Sequence, residues 1–262
     1  LRDDPRYIGE WNDVEALVDN LNTQVDGADA VFIDRHLYTP LFMNHFKVPA
    51  LVATLPYVPG ENYAGTPAVI SDDPATLIGW EALYALNWTA DHYQHLWLVA
   101  SASPFETDKI RPIERYLVDH YFQIEEMSTS PRARAIEFLT LDAPQGEPAQ
   151  QTAFTFGDEV ELTGFDLPAG ETYAPGDVLP VSLVWEVINA PGFDYNVSLF
   201  LMDEQGAVVA QRDGQPQATF GRMSRWEVGQ VYRDNHGLRL PTNLPEGTYT
   251  LQIVVYNWQT QA

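Results

Sequence analysis

The sequence contains no cysteine. Disulfides, thiolate nucleophiles and cysteine-ligated zinc or iron–sulfur sites are therefore excluded by composition. The absence does not fix the compartment, because an exported domain with a good hydrophobic core folds without disulfides. Composition thus removes several kinds of site without indicating a location.

Basic residues are scarce. Lys and Arg total 14 against 37 Asp and Glu, which gives a net charge of -23. Binding to nucleic acid or to an anionic bilayer draws on clustered cations, and the sequence has no such cluster. We therefore expect no DNA, RNA or anionic membrane surface as partner. The acidity favours solubility by mutual repulsion, with a calcium-rich or saline exterior as the alternative.

Long apolar runs and nucleotide motifs are missing too. No stretch approaches the ~18–20 apolar residues that span a bilayer. The chain begins at Leu1 rather than Met and has no charged-then-apolar leader, so we expect an excised or processed piece of a longer protein. Neither a G-x-G-x-x-G loop nor a P-loop follows a predicted strand. No cofactor is predicted, and NAD, FAD and ATP are disfavoured.

The first half of the sequence alternates helical and strand patterns. Apolar residues at helical spacing, from Trp11 to Leu21, predict an amphipathic helix. Further helices are predicted at 41–46, 73–84 and 108–118, strands at 30–33, 51–55, 68–70 and 96–100, and a closing hairpin at 121–127 and 133–141. Strands separated by helices favour a mostly parallel sheet. We therefore predict a three-layer α/β domain, Rossmann-like or flavodoxin-like, over residues 1–143.

The pattern changes after a polar linker, predicted at 144–151. From residue 152 to 262 the sequence has short strands separated by Pro- and Gly-containing turns and no helical period. The predicted strands are 160–163, 179–187, 195–202, 207–211, 232–240 and 248–256. Closely spaced short strands of this kind predict an all-β immunoglobulin-like sandwich.

Ligands of open α/β sheets bind at the carboxyl ends of the strands. Polar side chains follow two predicted strands there, namely Asp34, Arg35 and His36 after the first and Ser101 and Ser103 after the apolar strand at 96–100. They are the candidate ligand crevice, with ordinary loop residues as the alternative. The G-x-S-x-G motif is absent, so no catalytic residue is assigned.

Metal ligands are weakly indicated. His92 and His95 would face one metal only if their segment were helical, but it precedes a strand and no third ligand is in view. Residues 203–206 and 234–237 carry the oxygens that calcium prefers, yet neither fits the twelve-residue EF-hand loop. We interpret both segments as turns and predict no metal site. The question of calcium binding stays open, because both segments carry suitable oxygens.

Aromatic residues of the second half offer a different kind of site. Trp226, Tyr232 and Trp258 are candidates for stacking on sugar rings. Core or interface packing is the alternative, because Trp and Tyr also build those.

A spaced set of turn and aromatic motifs runs through the second half: PGD at 175–177, LVW at 183–185, QRDGQP at 211–216, WEVG at 226–229, DNH at 234–236, LP at 240–241 and LPEGTY at 244–249. This set resembles the extracytoplasmic C-terminal region of bacterial multi-span glycosyltransferases similar to protein mannosyltransferases and aminoarabinose transferases. The first half resembles the α/β segment before that region more weakly, through ADAV at 28–31 and LWLV at 96–99.

The resemblance implies a location and an accessory role. In that superfamily the catalytic acidic residues lie between membrane spans, so none is carried over to this chain. The resemblance therefore implies a non-catalytic extracytoplasmic part of a membrane-bound, glycosyltransferase-like protein whose membrane region lies upstream. We expect a glycan, an acceptor or a cell-surface component as partner. An enzyme that uses the α/β crevice and a structural or adhesion module are the alternatives.

Overall fold

The structure is a computed structural model of the 262-residue chain. It describes residues 5–34, 38–55, 78, 80–101, 103, 111–168 and 172–260, without the side chains of 5–10, 80, 81 and 219. The predicted strand at 68–70 and the start of the helix at 73–84 lie outside these residues. In the described ranges, no helix has both the length and the apolarity that a bilayer crossing requires.

The chain divides into two compact units. The first comprises Leu1–Leu117 with Glu125–Leu141, and the second comprises Val118–Ile124 with Asp142–Ala262. The second unit therefore takes in residues 118–124, which the sequence placed in the first domain. Residues 150 and 151 of the predicted linker already belong to a strand.

The first unit packs helices on a short parallel sheet. Its elements, with α4 and β4 shared between the units, are α1 Pro5–Gln24, β1 Ala30–Ile33, α2 Thr39–His45, β2 Leu51–Thr54, α3 Trp80–Ala90, β3 His95–Ala100, α4 Pro112–His120, β4 Phe122–Ser130 and β5 Ala133–Leu139. Strand β1 pairs in parallel with β2 and β3, and β5 runs antiparallel to β3. The apolar stripe of α1 is fully buried: Val14, Leu17, Val18 and Leu21. It packs on residues of β1 and β3 such as Val31 and Val99.

In its described residues, the second unit is all β apart from the last residues of α4 and short 3-10 turns. Its further strands are β6 Gln150–Phe156, β7 Val160–Asp166, β8 Val178–Val187, β9 Asn196–Met202, β10 Val208–Gly214, β11 Val231–Arg239 and β12 Thr250–Tyr256. β11, β8, β7 and β6 pair antiparallel in that order, and β10, β9 and β12 form a three-stranded sheet. Buried side chains of β8 such as Leu183 and Trp185 share a core with Val197 and Leu199 of β9.

The predicted fold class is wrong. Among the residues that the structure describes, 40 % are in strands and 22 % in helices. These strands form one mixed nine-stranded sheet of order β2-β1-β3-β5-β4-β11-β8-β7-β6 and a separate three-stranded sheet. The continuity comes from β4. Its later residues belong to the first unit, whereas Gln123 near its start pairs in parallel with His236 of β11 in the second. The structure therefore does not show a distinct α/β domain followed by a separate immunoglobulin-like sandwich.

Candidate functional site

The predicted crevice is described in part. Asp34 follows β1 and Ser101 follows β3, and these strands pair in parallel with Ile33 opposite Val99. Both carboxylate oxygens of Asp34 lie 3.1 Å from the backbone nitrogen of Ser101, which donates to them. The structure therefore brings Asp34 and Ser101 together, through the main chain of the serine. Ser103 is half-buried, and Arg35 and His36 lie outside the described residues.

A buried ion network that the sequence analysis missed lies in the first unit. Glu114 of α4 accepts hydrogen bonds from Arg111 at 2.7 Å and from Arg134 of β5 at 2.9 Å. Arg134 also donates to Glu126 at 2.6 Å. Burial acts to lower the pKa of Arg134, but the hydrogen bonds and charges of Glu126 and Glu114 outweigh it and raise the pKa above its usual value. Arg134 therefore stays protonated, and the network joins α4 to β4 and β5.

The only part of this network with a sequence signal is the i,i+3 spacing of Arg111 and Glu114. Arg134 lies on a strand whose other residues are mostly apolar, and nothing local predicts its partner.

A second polar cluster lies where β1 and β3 begin. The Asp29 carboxylate accepts the backbone N–H of Asp26 at 3.0 Å and the indole N–H of Trp97 at 3.3 Å. Burial raises the pKa of Asp29 above its usual value, because a desolvated carboxylate is less stable than its neutral form. The cluster fixes a buried tryptophan against the turn before β1.

The two histidines of the weak metal pattern have separate partners. The His92 ring nitrogen lies 2.6 Å from the Trp88 carbonyl oxygen, and its ring stacks on that of Trp88. His95 begins β3, one residue before the predicted strand at 96–100, and pairs with Glu137 of β5 at 2.7 Å. Among the residues that the structure describes, no group of three or more His, Asp and Glu could hold a metal ion.

The interpretation of 234–237 as a turn is wrong. These residues lie inside β11, and Asp234, Asn235 and His236 are buried. The His236 ring nitrogen is 2.6 Å from Asp234, and Ser182 of β8 donates to Asn235 at 2.7 Å. Buried polar groups are tolerated when they are paired, so these residues hold strands together. The turn at 203–206 is confirmed, because Asp203 accepts the backbone N–H groups of Gln205 and Ala207.

The three candidate sugar-stacking residues differ in exposure. Trp226 is only 6 % exposed and stacks on Tyr232, with ring centroids 4.5 Å apart. It belongs to the core of the second unit, which makes it a packing residue rather than a sugar platform. Trp258 is 48 % exposed.

Trp258 is part of a surface that we call the aromatic surface: Phe193, Tyr195, Trp258 and the neighbouring Glu159. The Phe193 ring lies 6.2 Å from that of Trp258 and 5.8 Å from that of Tyr195. A hydrogen bond with Glu159 raises the pKa of Tyr195. Glu159 also accepts the backbone N–H of Gly192 at 3.0 Å, which holds its carboxylate beside the rings.

The second unit also contains an open apolar cleft of about 760 Å³, which we call the sheet cleft. Strands β6, β7 and β8, with the residue after β7, line one side, and the start of β12, with the residue before it, lines the other. The lining residues are Gln150, Phe154, Thr155, Phe156, Leu162, Phe165, Leu167, Val181, Leu183, Tyr249, Thr250, Leu251, Gln252 and Ile253. None of these residues carries a charge. The cleft has no counterpart among the sequence-based predictions, because the predicted strands do not include β6, whose first two residues fall in the predicted linker at 144–151.

Comparison with known proteins gives no family for this chain: no protein-family model matches the sequence, and no curated protein matches it.

Proposed function

We propose that this chain is an extracytoplasmic accessory region of a membrane-bound, glycosyltransferase-like protein and that it positions a glycan on the aromatic surface. The motif set in residues 175–249 supports the kind of parent protein, because it resembles the C-terminal region of such enzymes. The net charge of -23 is compatible with a role at a cell exterior.

The observation that carries the binding role is the grouping of Phe193, Tyr195 and Trp258 beside a fixed carboxylate. A tryptophan that is 48 % exposed offers an apolar ring face, onto which the C–H face of a pyranose can stack. The Glu159 carboxylate accepts hydrogen bonds, and sugar hydroxyls donate them. An aromatic face with an acceptor at its edge therefore suits a neutral sugar better than an anionic one.

The experiment is a glycan array probed with the purified chain, followed by calorimetry on the glycans that bind. We expect Trp258→Ala to weaken binding about tenfold, equivalent to ~1.4 kcal/mol. Phe154→Ala removes another exposed aromatic ring, which lies in the sheet cleft and not on the aromatic surface, so it should leave the affinity unchanged. An empty array, or equal binding by Trp258→Ala, would contradict the proposal.

A further inference from the structure

The sheet cleft is bordered by two open strand edges. β6 is the last strand of the nine-stranded sheet and β12 is the last strand of the three-stranded sheet, among the strands that the structure describes. β12 pairs on one side with β9 from Thr250 to Tyr256, and β6 pairs on one side with β7. Each strand therefore presents a row of backbone donors and acceptors on its other side.

The core beside β12 is less covered than the core beside β9. Val197 and Leu199 of β9 are fully buried, whereas Leu251, Ile253 and Val255 of β12 pack on the same cluster and remain only partly buried. The side chain of Phe154 on β6 is 64 % exposed. An added layer of apolar side chains in the cleft would bury both rows, and burial of apolar surface is favourable.

The distribution of charge around the sheet cleft indicates what kind of molecule would supply this added layer. Both bordering strands, QQTAFTF and TLQIVVY, lack charged residues and proline, although edge strands are usually protected by them. Acidic residues lie beyond one end of each strand, with Asp158 after β6 and Glu246 before β12. A second copy of this chain would bring another net charge of -23, which opposes self-association. An occupant with an apolar middle and basic ends fits both features.

We propose that the sheet cleft binds an extended polypeptide segment of a partner protein, with alternating apolar side chains and Lys or Arg at its ends. The segment adds a strand to the open edge of β12, and alternate side chains enter the cleft between Phe154 and Leu251. Peptide-binding sheets commonly use this arrangement, in which main-chain hydrogen bonds give affinity and side-chain pockets give specificity. The volume of about 760 Å³ is within the range of binding clefts.

This surface is separate from the aromatic surface and does not rest on the glycan role. The two proposals can fail independently, because Phe154 belongs to one surface and Trp258 to the other.

The probe is a fluorescein-labelled nine-residue peptide of alternating Val and Thr with Lys at both ends, and fluorescence anisotropy measures its binding to the full chain. We expect saturable binding. A peptide with Pro at two alternate positions, which removes backbone donors, should bind at least about tenfold more weakly, and so should a peptide with Glu ends. Absence of binding by the Lys-ended peptide, or equal binding of the Pro peptide, would overturn the proposal.

Variants of the chain locate the site. Phe154→Ala and Gln252→Lys should each weaken the Lys-ended peptide about fivefold or more, the second because an edge lysine opposes strand addition and repels the basic ends. Trp258→Ala is the matched control and should bind like the unmodified chain, with circular dichroism showing that each variant folds. If sedimentation velocity shows a dimer that Gln252→Lys dissociates, a second copy occupies the cleft and the proposal is wrong. If both cleft variants bind the peptide normally, the site lies elsewhere and the proposal is equally wrong.

Discussion

Glu114 stabilises the first unit by lying between two buried guanidinium groups. The side chains of Arg111, Glu114 and Arg134 are 1 %, 3 % and 0 % exposed. Removing one partner of a buried ion pair is far more destabilising than the pair itself is stabilising, because a charge is left without compensation. We expect Glu114→Gln, which keeps the shape but removes the charge, to lower the free energy of unfolding by about 3 kcal/mol. Urea denaturation at neutral pH measures this.

A carboxylate on the surface of the same unit is the control for this variant. Glu15 of α1 lies 3.5 Å from His45, and both side chains are about a third exposed, at 31 % and 36 %. Glu15→Gln should change the free energy of unfolding by less than about 0.5 kcal/mol. Equal effects of the two substitutions would show that burial does not set the strength of the Glu114 network.

Residue-scale properties were the hardest to predict from sequence. Trp226 and Trp258 look alike in the sequence, but only Trp226 packs into a core, against Tyr232. Asp234 and His236 resemble turn residues because they are polar, and their burial depends on partners that are brought close only by folding, such as the backbone N–H of Gln217 on Asp234. Exposure and pairing of this kind are tertiary properties, which local pattern does not contain.

At the scale of elements, β11 packs closely against β4 at Gly237. A β-carbon added to Gly237 would lie 2.8 Å from Ile124 of β4 and 3.0 Å from Val178 of β8, which is closer than carbon atoms normally approach. We expect Gly237→Ala to lower the free energy of unfolding by about 1–3 kcal/mol, as overpacking does. Chemical denaturation measures it.

Gly27 provides the comparison for that substitution. A β-carbon there meets nothing nearer than Pro49 at 3.7 Å, which is an ordinary contact distance. Gly27→Ala should be close to neutral or slightly stabilising, since alanine restricts the unfolded chain. If Gly237→Ala proved as harmless as Gly27→Ala, close packing of β4 on β11 would be refuted.

Sequence periodicity predicted several elements well. The predicted strand at 30–33 is observed as β1, Ala30–Ile33. The prediction succeeds because four consecutive apolar residues next to a turn are typical of a short buried strand. β6 was missed, since QQTAFTF is mostly exposed and shows little apolar alternation. An edge strand needs only one partner strand, so its own sequence carries a weak signal.

At the scale of the whole molecule, the excess of 37 acidic over 14 basic residues should oppose folding through self-repulsion. Raising NaCl from about 10 mM to about 150 mM shortens the screening length from ~30 Å to ~8 Å. We expect the melting temperature to rise by ~2–4 °C, which corresponds to ~1 kcal/mol. Differential scanning calorimetry measures the shift.

Calcium chloride at matched ionic strength is the control for screening. The same rise in melting temperature is expected if screening alone acts, and a further rise would indicate bound calcium. A melting temperature that does not respond to NaCl would contradict the self-repulsion.

The continuity of the large sheet is the feature that sequence reasoning could not reach. It depends on residues of β4 and α4 meeting β11, as in the hydrogen bond from Asn235 to Val118, 117 positions apart. The change in hydrophobic pattern at the predicted linker, 144–151, coincides with a real change in local structure. A local pattern does not, however, determine which strands pair across such distances in the sequence.

The division of β4 between the two units decides where this chain can be cut. A fragment that starts at residue 142 would look reasonable from the sequence, yet it would discard residues 118–124, which belong to the second unit. Gly237 would then face solvent where Ile124 had covered it, and the backbone of His236 would lose its parallel partner Gln123. A fragment designed to contain the β-rich half should therefore start upstream of Val118, although it then also carries the β4–β5 hairpin. A start at residue 142 would remove β4, the strand that pairs with β11.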